Sequence, residues 1–203
     1  MDKKNYKTLL KNINTLVFDV DGVLTDSSVF VTTDGEMLRT MNTRDGFALK
    51  SAVDSGLNVC IISGGTNEGV RKRLKSLGLK NVILGAHNKL KNLKLLIKEL
   101  DVKNDQIMYM GDDIPDIPAM LEVGLPCCPQ DAAPEVKAIS QYISHLNGGQ
   151  GVARDIIALN AGAAIYVSGL VNSLEEGITK ANQTLSDGSA QDKLDAYIHA
   201  SNK

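Results

Sequence analysis

The sequence predicts an α/β protein built on a mostly parallel, Rossmann-like sheet flanked by helices, with a β-hairpin and a helical C-terminal tail. Three observations carry this reading. Apolar strand-like runs at 15–20, 57–62, 81–84, 106–110, 124–128 and 140–143 alternate with helical patterns at about 45–55, 66–77, 88–100 and 114–122, the rhythm of right-handed βαβ crossovers. The first run, Leu16-Val17-Phe18-Asp19-Val20-Asp21-Gly22, ends abruptly in two carboxylates spaced two apart and followed by glycine. The 203 residues suffice for one such domain with an appendage and a sizeable core.

The run ending in Asp19 and Asp21 reads as a buried parallel strand whose C-terminal end opens on the crevice where α/β sheets bind ligands. Two acids there suit a hard cation, since Mg²⁺ takes carboxylate, carbonyl, water and phosphate oxygens; a polar Asp-Gly turn is the plain alternative. From Ser28 to Asn42 the rhythm breaks: Val29, Val31, Met37, Arg39 and Met41 alternate around Thr33-Asp34-Gly35, a β-hairpin. The run 57–62 then leads into Ser63-Gly64-Gly65-Thr66, a hydroxyl followed by backbone that can approach an anion closely. Val82-Ile83-Leu84-Gly85 precedes Lys89 at the start of an amphipathic helix, and Ile107-Met108-Tyr109-Met110 runs into Gly111-Asp112-Asp113-Ile114-Pro115-Asp116. Each signal alone reads as a turn, a solvated lysine or a polar loop. In this order, at one edge of one sheet, they read as a site.

Composition excludes other classes. Lys and Arg number 22 against 24 Asp and Glu, and no basic block suggests a nucleic-acid or membrane footprint. Cys60, Cys127 and Cys128 have neither disulfide nor zinc spacing and read as small buried hydrophobes, while His87 and His145 read as surface or packing residues. No apolar stretch reaches membrane-spanning length and the N-terminal residues lead into no apolar targeting segment, so the expected location is cytoplasmic.

The four signals resemble the haloacid dehalogenase superfamily of phosphohydrolases, across roughly residues 13 to 157. More narrowly, Asn42-Thr43-Arg44-Asp45-Gly46, Lys89, Gly111-Asp112-Asp113 and Gly148-Gly149-Gln150-Gly151 are similar to the 3-deoxy-D-manno-octulosonate 8-phosphate (KDO 8-phosphate) phosphatase family. The hairpin and one helix fill the positions between Asp19 and Ser63, and one helix and one strand fill those between Lys89 and Asp112, so no cap domain fits. Closure by a neighbouring subunit is then the simplest way to exclude water. The resemblance implies a homotetramer whose glycine-rich segment, here Gly148 to Gly151, reaches an adjacent site; a flexible exit linker is the alternative.

The resemblance also implies roles. Asp19 would attack phosphorus and form an aspartyl-phosphate, and Asp21 would protonate the leaving alkoxide and then deprotonate the hydrolytic water. Mg²⁺ would be held by the Asp19 carboxylate, the Asp21 carbonyl and Asp112. Ser63, the amide of Gly64 and Lys89 would hold the phosphoryl oxygens. Asp113 and Asp116 would orient metal waters and Lys89, or serve structure alone. Asn42, Arg44, Asp45, Gly46 and Arg73 match substrate-binding positions, whereas Lys50 and Gly65 stand where many similar proteins carry arginine. The expected activity is Mg²⁺-dependent phosphomonoester hydrolysis for lipopolysaccharide precursors. The alternatives are a nine-carbon ulosonate 9-phosphate as substrate, or a non-catalytic assembly module.

Beyond 157 the chain departs from this pattern. Residues 158–203 form a C-terminal extension similar to the C-terminal segment of anthranilate phosphoribosyltransferase, without that enzyme's phosphoribosyl-binding glycine loops. Ser173 to Glu176 reads as a capping box, Leu174, Ile178, Ala181 and Leu185 as a helical stripe, and Gln191 to His199 as a further helix.

Overall fold

The computed structural model describes residues 6–187. A short helix α1 (Tyr6–Leu9) leads into β1 (Thr15–Phe18), after which the chain leaves the sheet for an antiparallel hairpin, β2 (Phe30–Val31) and β3 (Met37–Leu38). It returns through α2 (Thr43–Asp54), β4 (Asn58–Ile62), α3 (Glu68–Ser76), β5 (Asn81–Ile83), α4 (Lys89–Leu100) and β6 (Ile107–Met110). The remaining elements are α5 (Ile117–Met120), β7 (Leu125–Cys128), α6 (Pro134–Ile139), β8 (Tyr142–Ile143), α7 (Val152–Val167) and α8 (Leu174–Asp187).

Six strands form one parallel sheet in the order β5-β4-β1-β6-β7-β8. The near-continuous apolar runs follow from burial on both faces. Leu16, Phe18, Val59, Ile61, Met108 and Met110 point into the core beneath α2, α3 and α7. The alternate residues Val17, Cys60, Ile62, Ile107 and Tyr109 point into the core beneath α4, α5 and α6, as the two-residue period of a strand requires. Because β4 and β6 lie on opposite sides of β1, the chain reverses direction across the sheet beyond Phe18, and that switch point is where a ligand crevice opens.

The helical pattern at 114–122 proved shorter than expected. It is a 3₁₀ turn over 114–116 followed by the four residues of α5, since Pro115 and Pro118 each lack the N–H that a longer helix needs. Elsewhere the helix starts follow local chemistry. Asn42, Asn67 and Asn88 cap α2, α3 and α4, accepting from the amides of Arg44, Val70 and Lys91 at 2.9, 3.1 and 2.9 Å.

The glycine-rich segment is anchored at Gly148 and Gly149 rather than a free linker. Gly148 lies against the loop after β1, where a Cβ would stand 2.1 Å from the Gly22 carbonyl oxygen, and the Gly149 amide donates to the Val23 carbonyl at 2.9 Å. The Gly148 amide donates to Asp131 and the Asn42 side chain donates to the Gly149 carbonyl. These contacts hold Gly148 and Gly149 in their own chain, while Gln150 beside them is exposed; reach to a neighbour's site belongs to the assembly proposed below. Gly151, at φ +106, then starts α7, whose first turn has no side-chain cap of its own. Asp45 of α2 supplies one, accepting from the Arg154 amide at 2.8 Å.

The 157/158 division falls inside α7, which continues unbroken to Val167. The α8 helix packs directly on it. Leu174 and Ala181 are buried and Ile178 half-buried, and the Ser173 hydroxyl accepts from the Glu176 amide as expected. The Glu176 carboxylate accepts from the amide of Asn172 rather than of Ser173, a capping box displaced by one residue. The further helix at Gln191 to His199 lies outside the described residues. Among the described residues no helix is long and apolar enough to cross a membrane.

The α7–α8 contact turns on two glycines: a Cβ on Gly177 would lie 2.3 Å from the Gly162 carbonyl oxygen, and one on Gly162 would lie 2.6 Å from the Ile178 amide. Gly177→Ala should therefore cost about 1–3 kcal/mol by overpacking, despite alanine's better helix propensity. Urea unfolding would check it; an unchanged or raised midpoint would show that the two helices can part.

Candidate active site

The ends of β1, β5 and β6 converge on one buried charge cluster. Lys89, the first residue of α4, points back under the sheet edge with its side chain only 6 % exposed, and its ammonium donates to Asp19 Oδ2 at 2.6 Å and to Asp116 Oδ1 at 2.7 Å. Asp19 follows β1, and its other oxygen accepts from the Val20 amide at 2.6 Å. Asp116 ends the 3₁₀ turn after β6 and is fully buried; Tyr109 of β6 donates to its Oδ1 at 2.8 Å, and the Asp112 amide reaches its Oδ2 at 3.4 Å. Buried charges need such partners.

Carboxylate oxygens of Asp19, Asp112 and Asp116 all lie within 4.8 Å of one another. Burial, and then the charges of Asp116 for Asp19 and of Asp19 and Asp116 for Asp112, push the Asp19 carboxyl up to about 6 and the Asp112 carboxyl up to about 8. Burial disfavours the Lys89 ammonium, but its two carboxylates outweigh that and raise its pKa. Asp112 Oδ1 is buried without a hydrogen-bond partner, and both Asp116 oxygens have protein partners. Crowded carboxylates with one orphaned oxygen are the donor set a divalent cation satisfies. The fit is to Asp19 and Asp112, with Asp116 serving Lys89.

Glycine makes the approach possible. Gly22 has φ +87, and a Cβ there would stand 1.9 Å from Asp112 Oδ2, so only glycine lets the first loop lie against the last acid. Ser63, buried at the end of β4, accepts from the Gly65 amide at 3.3 Å, and Gly64 is exposed beside it.

Asp21 is half-exposed and bound on both oxygens by a residue that sequence reasoning did not single out. Arg39, just past β3, donates from Nε to Asp21 Oδ1 at 3.0 Å and from Nη2 to Asp21 Oδ2 at 2.9 Å. Its guanidinium lies beside Gly65, where a Cβ would stand 3.4 Å from Asp21 Oδ2, 3.5 Å from Arg39 Nη2 and 3.7 Å from Ser63 Oγ, all ordinary contact distances. No spacing rule links a hairpin arginine to an acid 18 positions earlier. Tyr109 was equally silent, one apolar letter within a strand.

The other expected substrate residues form a second group on α2 and α3. Asn42 and Arg44 line a polar cavity of about 400 Å³ with Gln150, Arg154 and Asn182. Gly46 admits the Arg73 guanidinium, which a Cβ would meet at 2.6 Å. Two residues have other partners. The Asp45 carboxylate caps α7, with burial pushing it up to about 6, and Lys50 lies on the exposed face of α2, paired with Asp54 at 2.8 Å. Asp113 is exposed and caps the turn at Ile114. His87 and His145 are exposed, and all three cysteines are buried and unpaired.

Comparison with known proteins agrees with this geometry. A haloacid dehalogenase-like hydrolase family model matches residues 82–156, and a glycosyl transferase family a/b domain model matches residues 122–191. The 3-deoxy-D-manno-octulosonate 8-phosphate phosphatase of Salmonella typhi is 36% identical over 152 residues, 75% of this chain and 81% of that protein. The crystal structure of the Yersinia pestis protein of that name superposes with a TM-score of 0.78 at 31% identity, over 82% of this chain and 90% of that one. The Moraxella catarrhalis protein, solved with magnesium, phosphate and KDO, gives 0.75 at 29% identity, over 81% and 97%.

The buried acids set a pH dependence. Asp19 and Asp112 hold protons more tightly folded than unfolded, so metal-free protein loses stability as pH rises from the ordinary carboxylate value of 3.8 through about 6 to about 8. Thermal midpoints in chelator should fall across that interval, Mg²⁺ should restore them most at its upper end, and Asp112→Asn should flatten the slope. Midpoints rising through the same interval would contradict the assigned burial of charge.

Proposed function

The chain belongs to the 3-deoxy-D-manno-octulosonate 8-phosphate phosphatase family of haloacid dehalogenase-like hydrolases and is a phosphatase; on that premise we propose that it releases phosphate from KDO 8-phosphate in the cytoplasm, as a step toward lipopolysaccharide. The observation that supports this reading is the meeting of Asp19, Lys89 and Asp112 at the ends of parallel strands, with Ser63 at the end of the neighbouring β4 and Asp21 two residues beyond Asp19.

Phosphate monoesters are inert in water, so the site must supply a positioned nucleophile and charge stabilisation. Asp19 Oδ attacks phosphorus as the ester P–O bond breaks, and Asp21 gives its proton to the departing alkoxide. Asp21, now a carboxylate, takes a proton from the water that attacks the aspartyl-phosphate, releasing phosphate and regenerating Asp19. Lys89 neutralises charge at Asp19 and fixes its rotamer, and the Ser63 hydroxyl with the Gly64 amide receives phosphoryl oxygens. Mg²⁺ bound by Asp19, Asp112 and the Asp21 carbonyl would offset the repulsion between the nucleophile and a phosphate dianion.

Asn42, Arg44, Gly46 and Arg73 are the residues we assign to the sugar acid. Asp45 and Lys50, which the resemblance also assigns to the substrate, have protein partners as well, in the first turn of α7 and in Asp54. Residues 1–157 form the proposed phosphatase unit and 158–203 an extension to it. The exposed apolar hairpin residues, Phe30 at 71 % and Val31 at 60 % with Met37 and Leu38, support assembly of copies through the hairpin, and we propose the homotetramer.

Phosphate release from a panel of sugar-acid phosphates tests the substrate, and preference for a nine-carbon ulosonate 9-phosphate would redirect it. Asp19→Asn should lower turnover by about three orders of magnitude or more while sparing the fold. Chelator should do the same and Mg²⁺ reverse it; full activity in chelator would remove the metal from the mechanism. Light scattering should show Phe30→Asp as a smaller species than the unaltered chain.

A further inference from the structure

The hairpin is exposed along both strands, yet its last charged residue is not. Arg39's side chain is only 6 % exposed, all the more notable because its Asp21 partner is 34 % exposed. Three donors are engaged at once: Nε and Nη2 on the two oxygens of Asp21, and Nη1 on the Met37 carbonyl at 2.6 Å. That carbonyl also accepts from the Asn67 side chain at 3.2 Å, and the same Asn67 caps α3. The guanidinium is thus clamped between the hairpin backbone and the phosphate-loop side of the site. With Asp21, Ser63, Gly65 and Val70 it lines a cavity of only about 10 Å³.

We propose that Arg39 is the positioning residue for Asp21: it holds the proposed acid/base carboxylate in one plane facing the leaving-group oxygen. The inference rests on the phosphatase reading given above and extends it to a residue outside the four motifs. A carboxylate has about four lone-pair directions, and a guanidinium fork uses one on each oxygen. One lone pair on each Asp21 oxygen remains to exchange the proton. Without the fork a half-exposed aspartate samples several rotamers in water, and proton transfer requires hydrogen-bond distance in a fixed geometry. Gly65 lies against the pair, a Cβ there standing at contact distance from both Asp21 Oδ2 and Arg39 Nη2, so a side chain longer than alanine's would have to pass beside the fork. Lysine at position 39 would keep the charge and lose the fork.

Leaving-group dependence separates this role from plain substrate binding. An alkyl phosphate needs its leaving oxygen protonated, whereas 4-nitrophenyl phosphate departs with little help. Arg39→Ala should lower kcat on KDO 8-phosphate by about 10- to 100-fold and on 4-nitrophenyl phosphate by less than about threefold, with KM within about twofold on both. Arg39→Lys should fall between. In an Asp21→Asn background Arg39→Ala should add less than about threefold, because both act through one group. Arg39→Gln, which keeps a polar side chain out to about the Nε position and loses the fork, serves if alanine does not fold, and melting curves accompany each variant.

Equal losses on both esters, a raised KM with kcat unchanged, or a full additive loss in the Asp21→Asn background would overturn the proposal. If the unaltered chain turns over 4-nitrophenyl phosphate and another primary alkyl phosphate but not KDO 8-phosphate, the substrate reading falls and that other ester decides Arg39's role. Failure to turn over any phosphomonoester would overturn both.

Discussion

A lysine held between two aspartates under the edge of a parallel sheet is the constraint on which the rest of this molecule depends. The Lys89 ammonium is almost fully buried, and only the contacts to Asp19 and Asp116 make that tolerable. Each partner comes from a different strand end, so the cluster fixes β1, α4 and the turn after β6 relative to one another. Tyr109, from the interior of β6, locks Asp116 from beneath. The charge balance then points outward. Asp19, Asp21, Asp112 and Asp116 are four carboxyl groups with two cations, Lys89 and Arg39, so full ionisation of the cluster leaves two negative charges in excess. A divalent cation at Asp19 and Asp112 removes that excess, and the elevated proton affinities of those same two carboxyls are the signature of its need.

The crowding also explains the glycines around the site. Gly22 faces the Asp112 carboxylate, Gly111 faces Asp116 with a would-be Cβ contact of 2.5 Å, and Gly148 faces the Gly22 carbonyl at 2.1 Å. At the first two an aspartate side chain, and at the third a backbone carbonyl, takes the place a side chain would need. Gly148 stabilises the loop carrying Asp21 from behind, and so links the far end of the phosphatase unit to its chemistry. The glycine-rich segment thus acts on the site through packing within one chain.

Much of this was legible in the sequence because strand periodicity and motif order report directly on buried backbone. The six parallel strands follow from apolar runs covered on both faces, and Asp19, Ser63, Lys89 and Asp112 follow from their places just beyond those runs. What escaped was determined by contacts between elements. Arg39 pairs with Asp21 through a hairpin whose direction no local pattern sets. Asp45 sits near a helix start that lacks its own cap, and that helix begins more than a hundred positions later. A resemblance can mark such residues as belonging together without telling whether they meet the ligand or one another.

The C-terminal extension follows the same logic. Within α7, Ile156, Ile157, Leu159, Gly162 and Ala163 are all buried, so the helix is apolar on more than the face that meets the sheet. A helix of that kind needs a second partner, and α8 supplies it through Gly177, Ile178 and Ala181, close enough that neither glycine could carry a side chain. The contact also ties Arg154 to Ser186, and Arg154's amide is the one capped by Asp45. α8 therefore braces the helix that α2 caps, and α2 begins at Asn42, whose side chain holds the Gly149 carbonyl. Whatever its origin, the extension is mechanically continuous with the segment that backs the loop of Asp21. A continuous chain of contacts thus runs from α8 through α7 and α2 to the loop of Asp21.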